Sequence, residues 1–368
     1  MSQSFWVGIA LILIAGSMAG GCMLPLKFNR RWRWENTWLI FSLVSLVVLP
    51  WTLALSLVQH LFQTYNSLTA SQFVIPILFG TGWGIAQVLF GISIQRLGLA
   101  LAYAIVVGLG TLLGTLVPLF VQHRAQVDRT LLIPILTGIV IMLIGIAFSA
   151  WAGQIREHRQ ERGRRTSPVG RYRAAVFVAV LCGILAPMLN YSFAFGQDIA
   201  VAAVRFGNPE VRAAYAVWPI GLVGGLLPNI GYSIYLLRRN RTGALFQSKC
   251  PDMFWAILMA TLWMGAFALY GMSATYLGRF GTSIGWGLFQ IFMIMTATLA
   301  GVFTGEWKHA PRFARTLLGL SITCLGCATA LWHTRIDEVS ARRLSWLGEG
   351  QLEIATKMRI GPGVQRIT

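Results

Sequence analysis

The sequence predicts an all-α membrane protein of ten transmembrane helices, arranged as two inverted five-helix repeats. Three observations predict it. First, the 368-residue chain is 56% hydrophobic and only 11% charged, where a soluble domain carries about 25% charged residues. Second, the charges are segregated. The 12 acidic and 30 basic residues fall between, or after, long apolar runs, the pattern of a polytopic helical protein. Third, one stretch occurs twice. Residues 77–98 and 257–278 align without a gap at a shift of 180, and ten of 22 pairs are identical, among them Trp83/Trp263, Gly91/Gly271, Ser93/Ser273 and Gly98/Gly278. Composition supplies shared Leu and Ala, but not a Trp, a Ser and a terminal Leu-Gly in one register. Gly21-x-x-x-Pro25 against Gly183-x-x-x-Pro187 is a weaker echo of the same kind. A β-barrel would need alternating segments with a polar interior face, and the chain has none.

In order, the apolar runs place spans at 5–26, 37–59, 74–95, 99–121, 131–152, 174–196, 213–237, 253–277, 281–305 and 316–332, each long enough for about 30 Å of hydrocarbon. The first lacks a basic n-region and is too long for a signal-peptide core, so it reads as an uncleaved span. The second follows the cluster Lys27, Arg30, Arg31, Arg33; the third carries the repeat; the fourth opens after Gly98. After the fifth comes the densest basic cluster, Arg156, Arg159, Arg162, Arg164, Arg165, Arg171 and Arg173. Spans 6 and 7 contain Pro187, Pro219 and Pro228; span 8 is the second copy of the repeat; spans 9 and 10 flank Glu306-Trp307-Lys308. Loops after spans 1, 3, 5, 7 and 9 hold 19 Lys and Arg, and those after spans 2, 4, 6 and 8 hold 5. The odd-numbered loops are therefore expected in the cytoplasm and both termini outside. Five spans on each side of residues 153–173 make the related halves enter the bilayer in opposite senses, as in many secondary transporters. The expected organisation is a first repeat over 1–152, a basic cytoplasmic linker over 153–173, a second repeat over 174–333 and a polar tail over 334–368.

These patterns exclude several classes of function. A net charge of +18 invites a nucleic-acid partner, but Arg clusters in the loops of a membrane protein set orientation and meet anionic headgroups. The expected partner is the bilayer, with no nucleic acid. No Asp, Glu, Lys, Arg or His lies in the middle of a span, so an enzyme, a cofactor or a metal centre is not expected. Four of the five Cys lie inside apolar runs, and Cys324-x-x-Cys327 reads as packing. The glycine stripes Gly80/Gly82/Gly84, Gly108/Gly110/Gly114 and Gly281/Gly285/Gly287 read as close helix contacts.

What the spans do carry is neutral polar groups beside aromatic rings. Trp83 and Gln87 share a helix face at i, i+4, and Trp286 and Gln290 repeat the arrangement. Asn190 and Tyr191 follow Pro187, and Asn229 follows Pro228 with Tyr232 one turn on. Proline frees backbone carbonyls that must face protein or a wet cavity. Amides donate to and accept from hydroxyls, and an aromatic face covers the apolar side of a sugar ring. The candidate lining for a neutral polyhydroxylated solute is thus Trp83, Gln87, Asn190, Asn229, Trp263 and Gln290. Trp32, Trp34, Trp38 and Trp51 are expected as interfacial anchors.

Together the residues resemble the L-rhamnose–proton symporter family of the drug/metabolite transporter superfamily. The resemblance runs over nearly all of 5–332. It is carried by Pro25-x-Lys27, Trp34-Glu35, Leu49-Pro50-Trp51, Leu78-Phe79-Gly80 with Trp83-Gly84-Ile85, Arg96-x-Gly98, Cys182-Gly183-Ile184, Asn229-x-Gly231 and Glu306-Trp307-Lys308. It implies a ten-helix importer of a 6-deoxyhexose in the bacterial cytoplasmic membrane, working by alternating access with protons as coupling ion. An exporter or exchanger of another metabolite is the alternative on the same fold. The chain departs from the family pattern at Gln87, where that pattern has Asn, and over Tyr276 to Trp286, which lacks its His and Asp. Glu35 and Glu306 match the family's motifs and are the acids left to carry a proton; their plainer role is helix-end capping or pairing with Lys27 or Lys308.

Overall fold

The computed structural model describes residues 3–123, 129–160, 169–247, 251–278 and 281–332, and these are almost entirely helical. Ten helices are long and apolar enough to cross a bilayer: α1 Phe5–Phe28, α2 Trp34–Leu57, α3 Ala70–Leu97, α4 Leu99–Gln122, α5 Leu132–Glu157, α6 Tyr172–Arg205, α7 Glu210–Asn240, α8 Asp252–Tyr276, α9 Ile284–Phe303 and α10 Arg312–Trp332. Each matches one predicted span. The tail 334–368, Cys250, His333 and the middle of the Arg-rich linker lie outside the described residues.

Proline sets the irregularities. Pro187 has no N–H to continue the ladder, so α6 breaks after Leu185 and restarts at Met188. It breaks again at Gly196 and runs on over Gln197–Arg205. In α2 a wider turn at Val44–Val48 precedes Pro50. α7 opens with a short turn, Glu210–Ala213, and becomes regular from Val217.

The main helix pairs are α3 with α7, α1 with α8 and α9, α6 with α3 and α4, α2 with α7 and α8, and α4 with α5 and α9. α5 meets α10 through Trp332, whose indole donates to the Ile135 carbonyl at 3.3 Å. Exchanging each of the first five helices with its counterpart five places on returns all but one of these pairs: α3·α7 becomes α8·α2, and α1·α8 becomes α6·α3, while α4·α5 has no counterpart among them. α2·α7, α4·α9 and α5·α10 map onto themselves. The tightest contact is α3 on α7, where glycine meets glycine. A Cβ on Gly80 would fall 1.8 Å from the Gly221 carbonyl oxygen, and one on Gly84 would fall 2.7 Å from Gly225 Cα. That is the close packing expected of the first stripe. Both copies of the repeat end on a left-handed glycine, Gly98 at φ 82° and Gly278 at φ 70°.

The described residues present large apolar side chains outward, including Leu78, Phe177, Leu227 and Phe303, and bury polar ones such as Asn190, Asn229 and Ser273. That inside-out distribution suits a lipid solvent.

Cross-connections sort the loops onto two ends of the bundle. At one end the Asp252 carboxylate accepts the backbone N–H groups of Arg30, Arg31 and Trp32 at 2.9, 2.8 and 2.7 Å. There also Glu157 caps the start of α4 through Ala100 N–H at 3.1 Å, and Glu35 accepts from Asn240 and Thr242. Glu306 joins Lys27 and Arg156 at the same end. All these groups border the loops after α1, α3, α5, α7 and α9. At the other end the ties are mostly neutral, apart from Gln72 Nε2 on the Asp198 carboxylate at 3.5 Å. Asn208 takes the Gln59 N–H at 2.6 Å and returns a bond to its carbonyl at 2.9 Å, and Tyr65 donates to the Ala216 carbonyl at 2.8 Å.

Candidate functional site

The two repeat-matched tryptophans meet in the centre of the bundle. Trp83 of α3 and Trp263 of α8 stack with ring centroids 5.4 Å apart and planes 24° from parallel. Gly225 of α7 lies under Trp83, where a Cβ would be 2.8 Å from its ring. Trp263 also packs on Phe267 at 4.5 Å and takes the edge of Phe41 at 5.9 Å.

From this pair ring contacts run toward both ends. Phe41 leads to Trp38 and then Trp34; Phe267 leads to Phe289, Tyr270 and Trp218, and onward to Trp286 and Phe193. The sequence identified only Trp83, Trp263 and Trp286 in this column. Trp38 and Phe41 lie on α2, Trp218 on α7, and Phe267 and Tyr270 on α8 with Trp263; the convergence of these helices leaves no mark in spacing along the chain. One signal was present: Trp38 and Trp218 stand in the same 180-residue register as Trp83 and Trp263.

The predicted polar residues divide into two groups. Neither the Trp83 nor the Trp263 indole N–H has an acceptor among the described residues. The Gln87 side chain, half-buried one turn from Trp83, has no hydrogen-bond partner there either. These three keep their polar atoms free beside the stacked rings. Asn190, Asn229 and Gln290 are bonded to protein. Asn190 donates to the carbonyls of Gly114 and Thr282 at 3.0 and 2.8 Å and accepts the Tyr270 hydroxyl, tying α6 to α4, α8 and the start of α9. Asn229 accepts the Trp38 indole at 2.9 Å and donates to the Gly225 carbonyl at 2.8 Å. Gln290 donates to Thr111 at 3.4 Å, a long bond. Trp286 donates to the Gly110 carbonyl at 3.2 Å.

Two of the expected interfacial anchors are internal. Trp38 is buried against Asn229 and Phe41, and Trp32 is buried with its indole on the Leu245 carbonyl at 3.2 Å. The Arg-flanked stretch that suggested a headgroup position folds back against α7 and α8, because Asp252 captures its backbone.

The two acids differ. Glu35 is 4% exposed and lies in the first turn of α2, at the end of that span as the sequence predicts. One of its oxygens accepts from Asn240 Nδ2 at 3.0 Å and Thr242 Oγ1 at 2.9 Å, and no ion pair reaches it among the described residues. Glu306 lies in the loop between α9 and α10 with Lys27 on one oxygen and Arg156 on the other, the latter at 2.8 Å. Arg156 also lies over the Trp307 ring at 4.8 Å. Partial burial works to raise the Glu306 pKa, but the hydrogen bonds and charges of Lys27 and Arg156 outweigh it and hold the carboxyl below its usual range. Among the described residues no three His, Cys, Asp or Glu approach closely enough to hold a metal.

A central aromatic pair with free donors, inside a shell of amides bonded to backbone, can hold a neutral ring-shaped solute by stacking and hydroxyl bonds. The chain is similar to the L-rhamnose-proton symporter of Escherichia coli O17:K52:H18, 25% identical over 334 residues, covering 87% of this chain and 95% of that one. It is likewise similar to the L-rhamnose-proton symporters of Yersinia pestis strain Pestoides F and Yersinia pseudotuberculosis serotype O:1b, each 26% identical over 350 residues, covering 91% of this chain and 98% of theirs. The family model described as L-rhamnose-proton symport protein matches residues 1–337. With that match spanning all ten helices, the chain belongs to the L-rhamnose-proton symport protein family.

Proposed function

We propose that this protein takes up L-rhamnose, or a closely similar 6-deoxyhexose, together with protons, by alternating access about the Trp83–Trp263 pair. The single observation that carries the reading is that pair: tryptophans from matched positions of two repeats, face to face at the bundle centre with their N–H groups free. A residue that stacks on its own copy lies beside the axis relating the copies. This supports two inverted five-helix units, 1–152 and 174–333, joined by the basic linker 153–173. The helix pairs that exchange of the halves does return support it as well. Rocking of one unit against the other exposes a midplane site to each side in turn.

In this reading Trp83, Gln87 and Trp263 contact the sugar directly. Asn190, Asn229 and Gln290 form the wall around them, their amides engaged in the present state and available when helices shift. A 6-deoxy sugar has an apolar methyl and ring face for the indoles and hydroxyls for Gln87 and the indole N–H groups.

Coupling falls to Glu35 rather than Glu306. Glu306 has two cations holding its charge, which suits a closed ionic tie. Glu35 is buried with neutral donors only, and it joins α2 to α7 across the two units, so gain or loss of one proton alters a contact between the moving parts. The 19-to-5 division of basic residues supports a cytoplasmic position for the charged end of the bundle, both termini outside, in a bacterial cytoplasmic membrane.

Uptake of labelled L-rhamnose by cells expressing the protein, with and without a protonophore, tests the proposal. Accumulation that collapses with the protonophore is the expected result. Accumulation unaffected by it removes the symport claim, and no accumulation removes the substrate.

A further inference from the structure

The loop after α1 and the loop after α7 belong to different halves of the bundle, and the fold ties them together. Asp252, at the head of α8, accepts the backbone N–H groups of Arg30, Arg31 and Trp32. The Trp32 indole reaches the Leu245 carbonyl at 3.2 Å, and its ring meets Phe246 edge to face at 5.2 Å. Asn36 donates to the Thr242 carbonyl at 3.0 Å, and Glu35 accepts from Asn240 and Thr242, on either side of Arg241.

These ties gather six arginines: Arg30, Arg31 and Arg33 from the first loop, and Arg238, Arg239 and Arg241 from the end of α7. All six are exposed, and none is in an ion pair among the described residues. Two carboxylates stand among them, Glu35 and Asp252, and both are buried and turned to N–H and O–H donors of the protein. Arg239 leans on Tyr235 of its own helix, 6.0 Å from the ring and 3.2 Å from the hydroxyl. The neighbouring cations Lys27 and Arg156 differ, since Glu306 takes both.

Local structure does not ask for this patch. A helix start disfavours cations, yet Arg30, Arg31 and Arg33 stand just before α2. Arg241 closes α7 at φ 52°, a left-handed position that glycine or asparagine fills at less cost. The copy of this interface at the other end of the bundle has none of the positive charge: its matched positions are Glu210, Val211, Ala213, Val58, Gln59 and Leu61. Orientation in the membrane needs basic loops, but it does not need two of them joined across the halves.

Exposed apolar side chains border the patch. Phe28, Met253 and Phe254 lie beside the Arg30–Asp252 tie, Trp34 follows Arg33, and Tyr235 is one turn before Arg239. A ligand that suits both surfaces has a phosphate for the guanidinium forks and acyl chains for the aromatic shelf. We propose that this patch binds an anionic phospholipid, whose headgroup phosphate bridges the loop after α1 and the end of α7. Because its two sides come from different halves, the lipid holds only the arrangement in which the halves meet there.

The test is thermal unfolding of the purified full chain in neutral detergent, with phosphatidylglycerol or phosphatidylcholine added. Phosphatidylglycerol should raise Tm by about 4 °C, and phosphatidylcholine should leave it unchanged. The patch variant Arg31→Gln/Arg33→Gln/Arg241→Asn should lose the shift. The control Arg96→Gln/Arg312→Gln/Arg315→Gln, which removes equal charge from exposed arginines outside the patch, should keep it. No shift with phosphatidylglycerol, equal shifts with both lipids, a shift retained in the patch variant, or one lost equally in both variants overturns the site. The same shift from inorganic phosphate at equal concentration overturns the lipid as its occupant. Should the patch variant fail to insert or fold, a photoactivatable phosphatidylglycerol on the wild type decides: labelling within 28–35 and 235–246 supports the site, and labelling confined elsewhere overturns it.

Discussion

Two sets of polar side chains sit in the same bundle interior and differ in what they bond. Asn190 and Asn229 have their amides on backbone carbonyls, a tyrosine hydroxyl and an indole. Trp83, Gln87 and Trp263 have none of their polar atoms on protein among the described residues. Residue type does not separate the sets, since an amide stands in each. What separates them is neighbourhood. Asn190 follows the break of α6 at Pro187 and reaches carbonyls of Gly114 and Thr282. Asn229 follows Pro228 inside an uninterrupted helix and bonds the Gly225 carbonyl of that helix and the Trp38 indole of α2. The tryptophans stand within the continuous helices α3 and α8, where their rings stack on each other. The comparison teaches that a buried amide within reach of a carbonyl and of a donor from another helix is a fastener, and that one beside stacked rings is a free hand.

Breaking the free set should abolish function and leave the fold. Trp83→Ala is expected to lower rhamnose uptake at least 100-fold at unchanged membrane abundance, because it removes a stacking face and a donor together. Uptake within threefold of wild type would remove Trp83 from the site. Breaking the fastened set should do the reverse. Asn190→Ala leaves the Tyr270 hydroxyl and the carbonyls of Gly114 and Thr282 without their partner, at a cost of about 2 kcal/mol. A fall in Tm that outweighs any change in KM is the expected signature. Gln87→Ala lies between the two: about a tenfold rise in KM is expected, with no loss of Tm. The smallest effect belongs to Glu306. Its pKa is lowered, so its ion pairs with Lys27 and Arg156 are complete above the usual carboxylate pKa of about 4.3 and fade only as pH falls through the lower folded value. At neutral pH Glu306→Gln should shift Tm by at most about 2 °C, the scale of a partly exposed ion pair, and the difference from wild type should vanish in acid.

Much of this was legible in the chain. All ten helices follow from apolar runs, because lipid selects for length and hydropathy residue by residue. The doubled segment was legible because ten of its 22 positions kept their identity. Helix ends were less so: α6 reaches Arg205, since Gly196 interrupts the helix without ending it. That Trp83 and Trp263 touch could not be read from spacing, as contact between helices depends on how the bundle closes. The burial of Trp32 and Trp38 was hidden for a related reason. Their Arg-rich surroundings look interfacial, and the groups that draw them inward, Asp252 for Trp32 and Asn229 for Trp38, lie about 220 and 190 residues away in sequence. Glu35 is at the helix boundary as the sequence predicts, but its burial under Asn240 and Thr242, some 205 residues on, leaves no mark in the chain.

The central claim is that a sugar is held where the two matched tryptophans face each other. Calorimetric titration of the purified protein with L-rhamnose, comparing wild type with the Trp83→Ala/Trp263→Ala double variant at equal Tm, tests it most directly. The account predicts saturable heat for wild type and none for the double variant; an unchanged Kd in the double variant would contradict it.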